Sequence, residues 1–132
     1  MILLDTHIVL WWVAGGKLLS ARAAREIAQN LTIFVSPVSL WEIATQIRKG
    51  RVVLDRDLYD WFDDLSGMEA VAIAPISPQT AIGAGLLDRS FPADPADRLL
   101  YSTARELNVP LLSKDAAIGD YARAAKDVKV IW

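Results

Sequence analysis

This chain of 132 residues is expected to adopt an α/β fold, a parallel sheet with helices on both faces, and two observations predict it. Short apolar runs alternate with stretches of helical spacing from one end to the other. Four carboxylates, Asp5, Glu42, Asp97 and Asp115, sit at or near the resulting strand-to-helix junctions, each in a different quarter of the sequence. If the strands are parallel, their carboxyl ends share one edge, and all four acids can converge there.

The elements follow in order. Residues 1–5 read as a short buried strand built on Ile2-Leu3-Leu4. Thr6 is positioned to cap a helix over 7–13, apolar almost all round, which Ala14-Gly15-Gly16 ends. Ser20 opens a helix over 21–30 with Arg22, Arg25, Glu26 and Gln29 on its wet side. Ile33-Phe34-Val35 is the second strand. Ser36-Pro37 is a cap followed by a proline at the first helical position, and that helix runs to about Lys49 and stops at Gly50. Asp55 to Ser66 has Leu58, Trp61, Phe62 and Leu65 spaced for one helical face. Val71-Ala72-Ile73 is a third strand, and Pro78 opens a helix to about Leu87. Asp94 caps a helix over 95–107. Leu111-Leu112 is a fourth strand, 116–125 a last helix, and 128–131 a fifth strand.

The length fits a single domain over residues 1–132. An apolar fraction of 53% implies a deeply buried sheet or a sticky surface that a partner covers. With no cysteine, disulfides, thiolate metal sites and cysteine nucleophiles are excluded, which fits a cytoplasmic protein. Asp5 interrupts the first apolar run at once, so no signal peptide is expected. The run from Ile8 to Ala14 is far shorter than the ~20 residues that cross a bilayer. Net charge is −2, so any nucleic-acid contact needs local basic patches, for which Arg22 with Arg25, and Arg48-Lys49 with Arg51, are candidates.

Three of the four acids also have a role open to them at a helix start, and Asp5 could cap the first helix together with Thr6. Asp94 in Asp-Pro is a cap, Asp97 three residues on suits the helix dipole, and Asp115 can cap the helix at Ala116. Glu42 has no such account: it lies beyond the first turn among apolar neighbours, with Thr45 and Gln46, not bases, at i+3 and i+4. Two carboxylates about 5 Å apart at an effective dielectric of ~20 repel by about 3 kcal/mol, so four converging acids call for a cation. An all-oxygen set favours Mg²⁺ or Mn²⁺, and that layout serves metal-assisted phosphodiester hydrolysis. Rival chemistries lack parts. His7 is the one histidine, glycine-rich phosphate loops are missing, and no second acid follows Asp5 closely enough for a phosphoaspartate site.

Four segments carry a resemblance. Leu3-Leu4-Asp5-Thr6-His7 with Trp11-Trp12, Ser36-Pro37-Val38-Ser39-Leu40-Trp41-Glu42-Ile43, Asp94-Pro95-Ala96-Asp97-Arg98-Leu99-Leu100 and Leu111-Leu112-Ser113-Lys114-Asp115 together resemble the PIN-domain family, more narrowly the VapC-type toxins of toxin–antitoxin pairs. The resemblance spans essentially the whole chain. It implies a three-layer α/β/α sandwich and a Mg²⁺- or Mn²⁺-dependent endoribonuclease whose acidic quartet is Asp5, Glu42, Asp97 and Asp115. Asp5 and Asp97 would be the principal metal ligands, and Glu42 and Asp115 would complete the site. Ser113 matches a supporting hydroxyl position. Thr6, His7 and Arg98 stand beside the quartet as substrate or supporting candidates. Ala116-Ala117 follow Asp115 where relatives often carry another acid, which leaves a second metal in doubt. The resemblance further implies a small antitoxin partner and a homodimer. The apolar excess fits this, and part of Trp11, Trp12, Trp41 and Trp61 is expected to line an antitoxin groove, with a place in the core as the alternative. Two alternatives stand: a non-catalytic module acting through partner binding or operon control, and a DNA- or structure-specific nuclease on the same fold.

Overall fold

The computed structural model describes all 132 residues. In chain order the elements are β1 (Ile2–Leu4), α1 (Thr6–Val13), α2 (Ala21–Gln29), β2 (Ile33–Val35), α3 (Pro37–Arg48), α4 (Leu58–Ser66), β3 (Val71–Ile73), α5 (Pro78–Gly85), α6 (Pro95–Leu107), β4 (Leu111–Leu112), α7 (Ala116–Ala125) and β5 (Val130–Ile131). The five strands form one sheet in the order β3-β2-β1-β4-β5, every pairing parallel. The chain builds outward from β1 to β2 and β3, then returns to add β4 and β5 on the other side. The reversal falls between β1 and β4, where an open parallel sheet leaves a crevice at its strand ends.

Side-chain alternation along β1 explains the three layers. Ile2 and Leu4 face one apolar cluster, shared with Ile8 and Val9 of α1, Ile27 of α2, Ile43 of α3, and Trp61 and Leu65 of α4. Leu3 faces the other, with Leu100, Tyr101 and Ala104 of α6, Ile118 of α7, and Phe91. The sheet is buried on both sides, which is why its strands read as unbroken apolar runs. No helix is long and apolar enough to cross a membrane.

Each of the seven helices starts at a Ser or Asp whose side-chain oxygen accepts an amide of the first turn: Asp5, Ser20, Ser36, Asp57, Ser77, Asp94 and Asp115. This corrects two expected starts. Asp5 alone caps α1, without a share from Thr6, which sits inside the first turn. Asp57 caps α4, so that helix begins at Leu58 instead of Asp55. Three ends are tighter than expected: α3 closes at Arg48, with Gly50 at φ +71° beyond it, α5 at Gly85, and β5 spans only Val130–Ile131.

The tryptophans separate. Trp61 is core at 3% exposure, whereas Trp41 is 62% exposed. Trp41 borders an apolar groove of about 340 Å³ with Pro37, Val38, Ile76 and Leu99. The edge of Trp61 borders a different one with Leu10, Val13, Val53 and Leu54. The four tryptophans therefore share no single groove. The apolar excess of the composition has gone both into a doubly covered sheet and onto exposed groove walls.

Arg98 ties the segment between α5 and α6 to the body. Its guanidinium donates to the carbonyls of Ala84 at 3.2 Å, Leu87 at 2.5 Å and Phe91 at 3.5 Å, and it lies 5.8 Å from the Phe91 ring centroid. Three carbonyls in different directions need a fork of donors, which lysine lacks. Arg98→Ala is expected to destabilise the fold by about 2 kcal/mol. Urea unfolding should show a lower midpoint with an unchanged m-value, and Arg98→Lys should recover little of the loss.

Candidate active site

The residues that follow the strands build the site. Asp5 stands directly after β1 and is 4% exposed. Its Oδ1 accepts the Thr6 amide at 2.7 Å, and its Oδ2 accepts the Ser113 hydroxyl at 2.5 Å. Ser113 follows β4, and its oxygen accepts the Asp115 amide at 3.1 Å. One hydroxyl thus joins the ends of neighbouring strands across the crevice.

His7 is held between the same two strand ends. Its Nδ1 lies 3.6 Å from Asp5 Oδ2, and its Nε2 accepts the Lys114 amide at 3.2 Å. An accepting Nε2 places the ring proton on Nδ1, toward Asp5.

Glu42 has found a partner that is not a base. The Thr6 hydroxyl of α1 donates to Glu42 Oε1, and Thr6 Oγ1 also lies 3.0 Å from the Ser39 hydroxyl. With its single proton given to Glu42, Thr6 accepts from Ser39. Burial is the main cause that pushes the Glu42 carboxyl above its ordinary range; Asp5 and Asp94 add to it, and the Thr6 bond eases it.

Asp97 is the least satisfied of the four. Its amide donates to the Asp94 cap at 3.3 Å, but its carboxylate accepts no hydrogen bond from the protein. Burial first, then the fields of Asp5, Asp94, Asp115 and Glu42, push its carboxyl up to about 7. Asp115 is the opposite case: its Oδ1 takes the amides of Ala117 and Ile118 at 2.8 and 3.1 Å, so the α7 cap expected from sequence is real.

Asp5, Glu42, Asp97 and Asp115 line one cavity of about 260 Å³, together with Thr6, His7, Leu10 and Gln46. No group of three acids or histidines is drawn together tightly enough to cage an ion unaided. An open all-oxygen set suits a hard cation that keeps waters and takes part of its shell from a substrate phosphate. The residues present fit a Mg²⁺ or Mn²⁺ ion on that ground, and because its charge would offset both the burial and the repulsion that lift Asp97 and Glu42.

Two residues were missed in the sequence. Gln46 is one turn beyond Glu42 on α3, so the i, i+4 spacing carried the signal. Ser39 supports Thr6, and only the spatial meeting of α1 and α3 reveals it. Arg98 is not brought to the pocket: its donors are engaged on backbone carbonyls. Arg48, Lys49 and Arg51 are exposed around the end of α3, and none pairs with an acid.

A family model described as PIN domain matches residues 2–124. Over 114 residues the chain is 37% identical to Ribonuclease VapC22 of Mycobacterium tuberculosis (strain ATCC 25618 / H37Rv), covering 86% of each. Among solved structures, VapBC-1 from nontypeable Haemophilus influenzae matches with a TM-score of 0.70 and 16% identity, over 99% of this chain and 97% of that one. VapBC2 from Rickettsia felis, bound to a DNA fragment from its promoter, gives 0.66 and 17%, over 99% and 98%. At these identities the solved structures speak for the fold alone, while the family model and the Mycobacterium relative speak for kinship. With its parallel sheet and acid-lined crevice, the chain belongs to the PIN-domain family, in its VapC-type branch.

Proposed function

We propose that this protein is a Mg²⁺- or Mn²⁺-dependent endoribonuclease, the toxin of a toxin–antitoxin pair. One observation carries the reading: carboxylates from four separate elements line a single small cavity, where burial first and the neighbouring acids second push the Asp97 carboxyl up to about 7. The relative named Ribonuclease VapC22 supports the reaction class. The VapBC structures on the same fold support a small antitoxin partner. The exposed grooves beside Trp41 and Trp61 offer apolar surface for that partner or for a second copy in a homodimer. Work in the cytoplasm, where RNA and antitoxin both are, fits the lack of cysteine.

Asp5 and Asp97 would be the principal ligands, with Glu42 and Asp115 completing the shell directly or through water. A bound divalent cation supplies an activated water and neutralises charge on the phosphate oxygens. The chain's own residues set the stage for that chemistry. Asp5 is fixed by the Thr6 amide and the Ser113 hydroxyl, so its remaining lone pairs aim where the fold puts them. Thr6 holds Glu42 toward the cavity. Asp97, free of protein donors, exchanges a proton near neutrality only in the metal-free site, and a bound cation would hold it ionised as a ligand.

Attack by water, not by the neighbouring 2′-hydroxyl, leaves a 5′-phosphate and a 3′-hydroxyl. With Mn²⁺ and single-stranded RNA, end-group analysis should find those ends; a 2′,3′-cyclic phosphate would exclude this mechanism. Comparison with DNA of the same sequence separates the DNA nuclease, and a lack of cleavage across many RNAs would favour the non-catalytic module. Asp5→Asn and Asp97→Asn should each lower the cleavage rate by on the order of a thousandfold or more while the fold is kept.

Ser113→Ala removes the donor to Asp5 and the acceptor for the Asp115 amide. It should weaken Mn²⁺ affinity or activity about 10- to 100-fold. Calorimetric titration of Mn²⁺ reads the affinity arm without RNA.

Asp97 also makes stability depend on pH. Its folded-state value of about 7 lies above its ordinary 3.8, so the folded state favours the protonated form. That stability is fully present below about pH 4 and is lost as pH rises through about 7. In EDTA the melting temperature should fall between about pH 5 and pH 8, and Asp97→Asn should flatten the fall. Added Mn²⁺ should stabilise more at the upper pH than at the lower.

A further inference from the structure

Beside the acid pocket lies an aromatic strip that the quartet does not use. Trp11 is one turn along α1 from His7, and their rings meet edge-on with centroids 5.0 Å apart. Trp132 follows β5 and lies 5.9 Å from Trp11 at a tilt of 56°. The Lys114 ammonium sits over both indoles, 5.5 Å from the Trp11 centroid and 5.6 Å from that of Trp132.

Lys114 is an unpaired cation placed over aromatic rings. It is exposed and adjoins Asp115 and the strand end that carries Ser113, yet it forms no ion pair with any acid. Its backbone amide is fixed on His7, so the residue is anchored while its head rests on two π faces. Both indoles are half-buried, packed against the core on one side and met by an exposed lysine on the other. An aromatic surface with an exposed ammonium at the lip of an acid-lined pocket has the chemistry that holds single-stranded nucleic acid: a base on the ring, a phosphate on the ammonium.

We propose that Trp11, Trp132 and Lys114 form a nucleotide-binding platform that seats an unpaired base of the RNA substrate next to the acid cluster. A stacked base must be free of its neighbours, so the platform favours single strands over duplex. This rests on the ribonuclease reading for the identity of the substrate, but binding can be tested without cleavage.

The experiment measures fluorescence anisotropy of a short labelled single-stranded RNA on the full chain in the Asp97→Asn background, over a range of salt. Trp132→Ala should weaken binding roughly 5- to 100-fold with the salt slope unchanged, and Trp132→Phe should restore most of it. Lys114→Ala should reduce the slope of log affinity against log salt by about 0.7, the value for one phosphate of a single strand. A duplex of the same sequence should bind more weakly. Unchanged affinity in Trp132→Ala, an unchanged slope in Lys114→Ala, or equal binding of duplex would each overturn the platform. Restoration by Trp132→Leu as full as by Trp132→Phe would show that the ring only packs. If the wild-type chain binds RNA through these residues but never cleaves it with Mn²⁺, the nuclease reading fails and the platform stands.

Discussion

The hydrogen bonds to Asp5 are what the fold and the site both depend on. A carboxylate at 4% exposure in the middle of a parallel sheet is costly unless donors meet it. The Thr6 amide and the Ser113 hydroxyl meet it, one from the helix that Asp5 starts and one from the neighbouring strand. Capping and function are not competing roles here. A cap uses part of the lone-pair capacity of one carboxylate and fixes its direction, and the rest remains for the cavity. Asp115 repeats the device at the start of α7, where Oδ1 takes two amides and Oδ2 takes none. Parallel strands followed by acid-capped helices therefore deliver oriented acids to one edge as a by-product of how helices begin.

The four acids are not equivalent, and the difference lies in how well each is satisfied. Asp5 and Asp115 are held by protein donors. Glu42 is held by one hydroxyl that is itself supported by Ser39. Asp97 is buried, faces the combined field of its neighbours and has no donor of its own, and its carboxyl rises furthest. The crevice thus contains two acids fixed by protein donors and two held more loosely. A cation bound there would offset the repulsion among all four. The same crowding opposes stability in its absence, as expected where function concentrates like charge.

Most of this arrangement is legible in the residues. The apolar runs fixed the strands because a sheet covered on both faces needs no polar positions, and Ser, Asp and Pro marked the helix starts through backbone chemistry that acts locally. The convergence of the four acids on one cavity was legible from position and chemistry: Asp5, Asp97 and Asp115 stand at junctions, and Glu42, beyond the first turn of α3, lacks a partner within its own helix. The errors are equally physical. Asp5 and Thr6 are both good caps in adjacent positions, and tertiary contacts, with Ser113 on one side and Glu42 on the other, decide which does what. Arg98 looked like a phosphate contact because it adjoins Asp97, but its direction on the helix sends it to the carbonyls around the end of α5. The supporting role of Ser39 and the meeting of Trp11 with Trp132 depend on contacts between distant parts of the chain, which periodicity does not report.

Which cations remain available decides how an acidic protein can hold a polyanion. Arg56 is paired with Asp55 and Asp64, Arg105 with Asp127, and Arg123 with Asp120. Arg98 is engaged on carbonyls. Net charge is a poor guide here, because at physiological salt fields from exposed charges fade beyond about 8 Å. On the proposed reading, what would act on a bound strand is the local set: a cation at the quartet, Lys114 at one lip, and the exposed Arg48, Lys49 and Arg51 around the end of the helix that bears Glu42 and Gln46. A grip made of few charges placed at the reacting phosphate is weak toward nucleic acid in general. It becomes strong only where a phosphate reaches the acid cluster, so geometry at the pocket, more than bulk attraction, selects what is held.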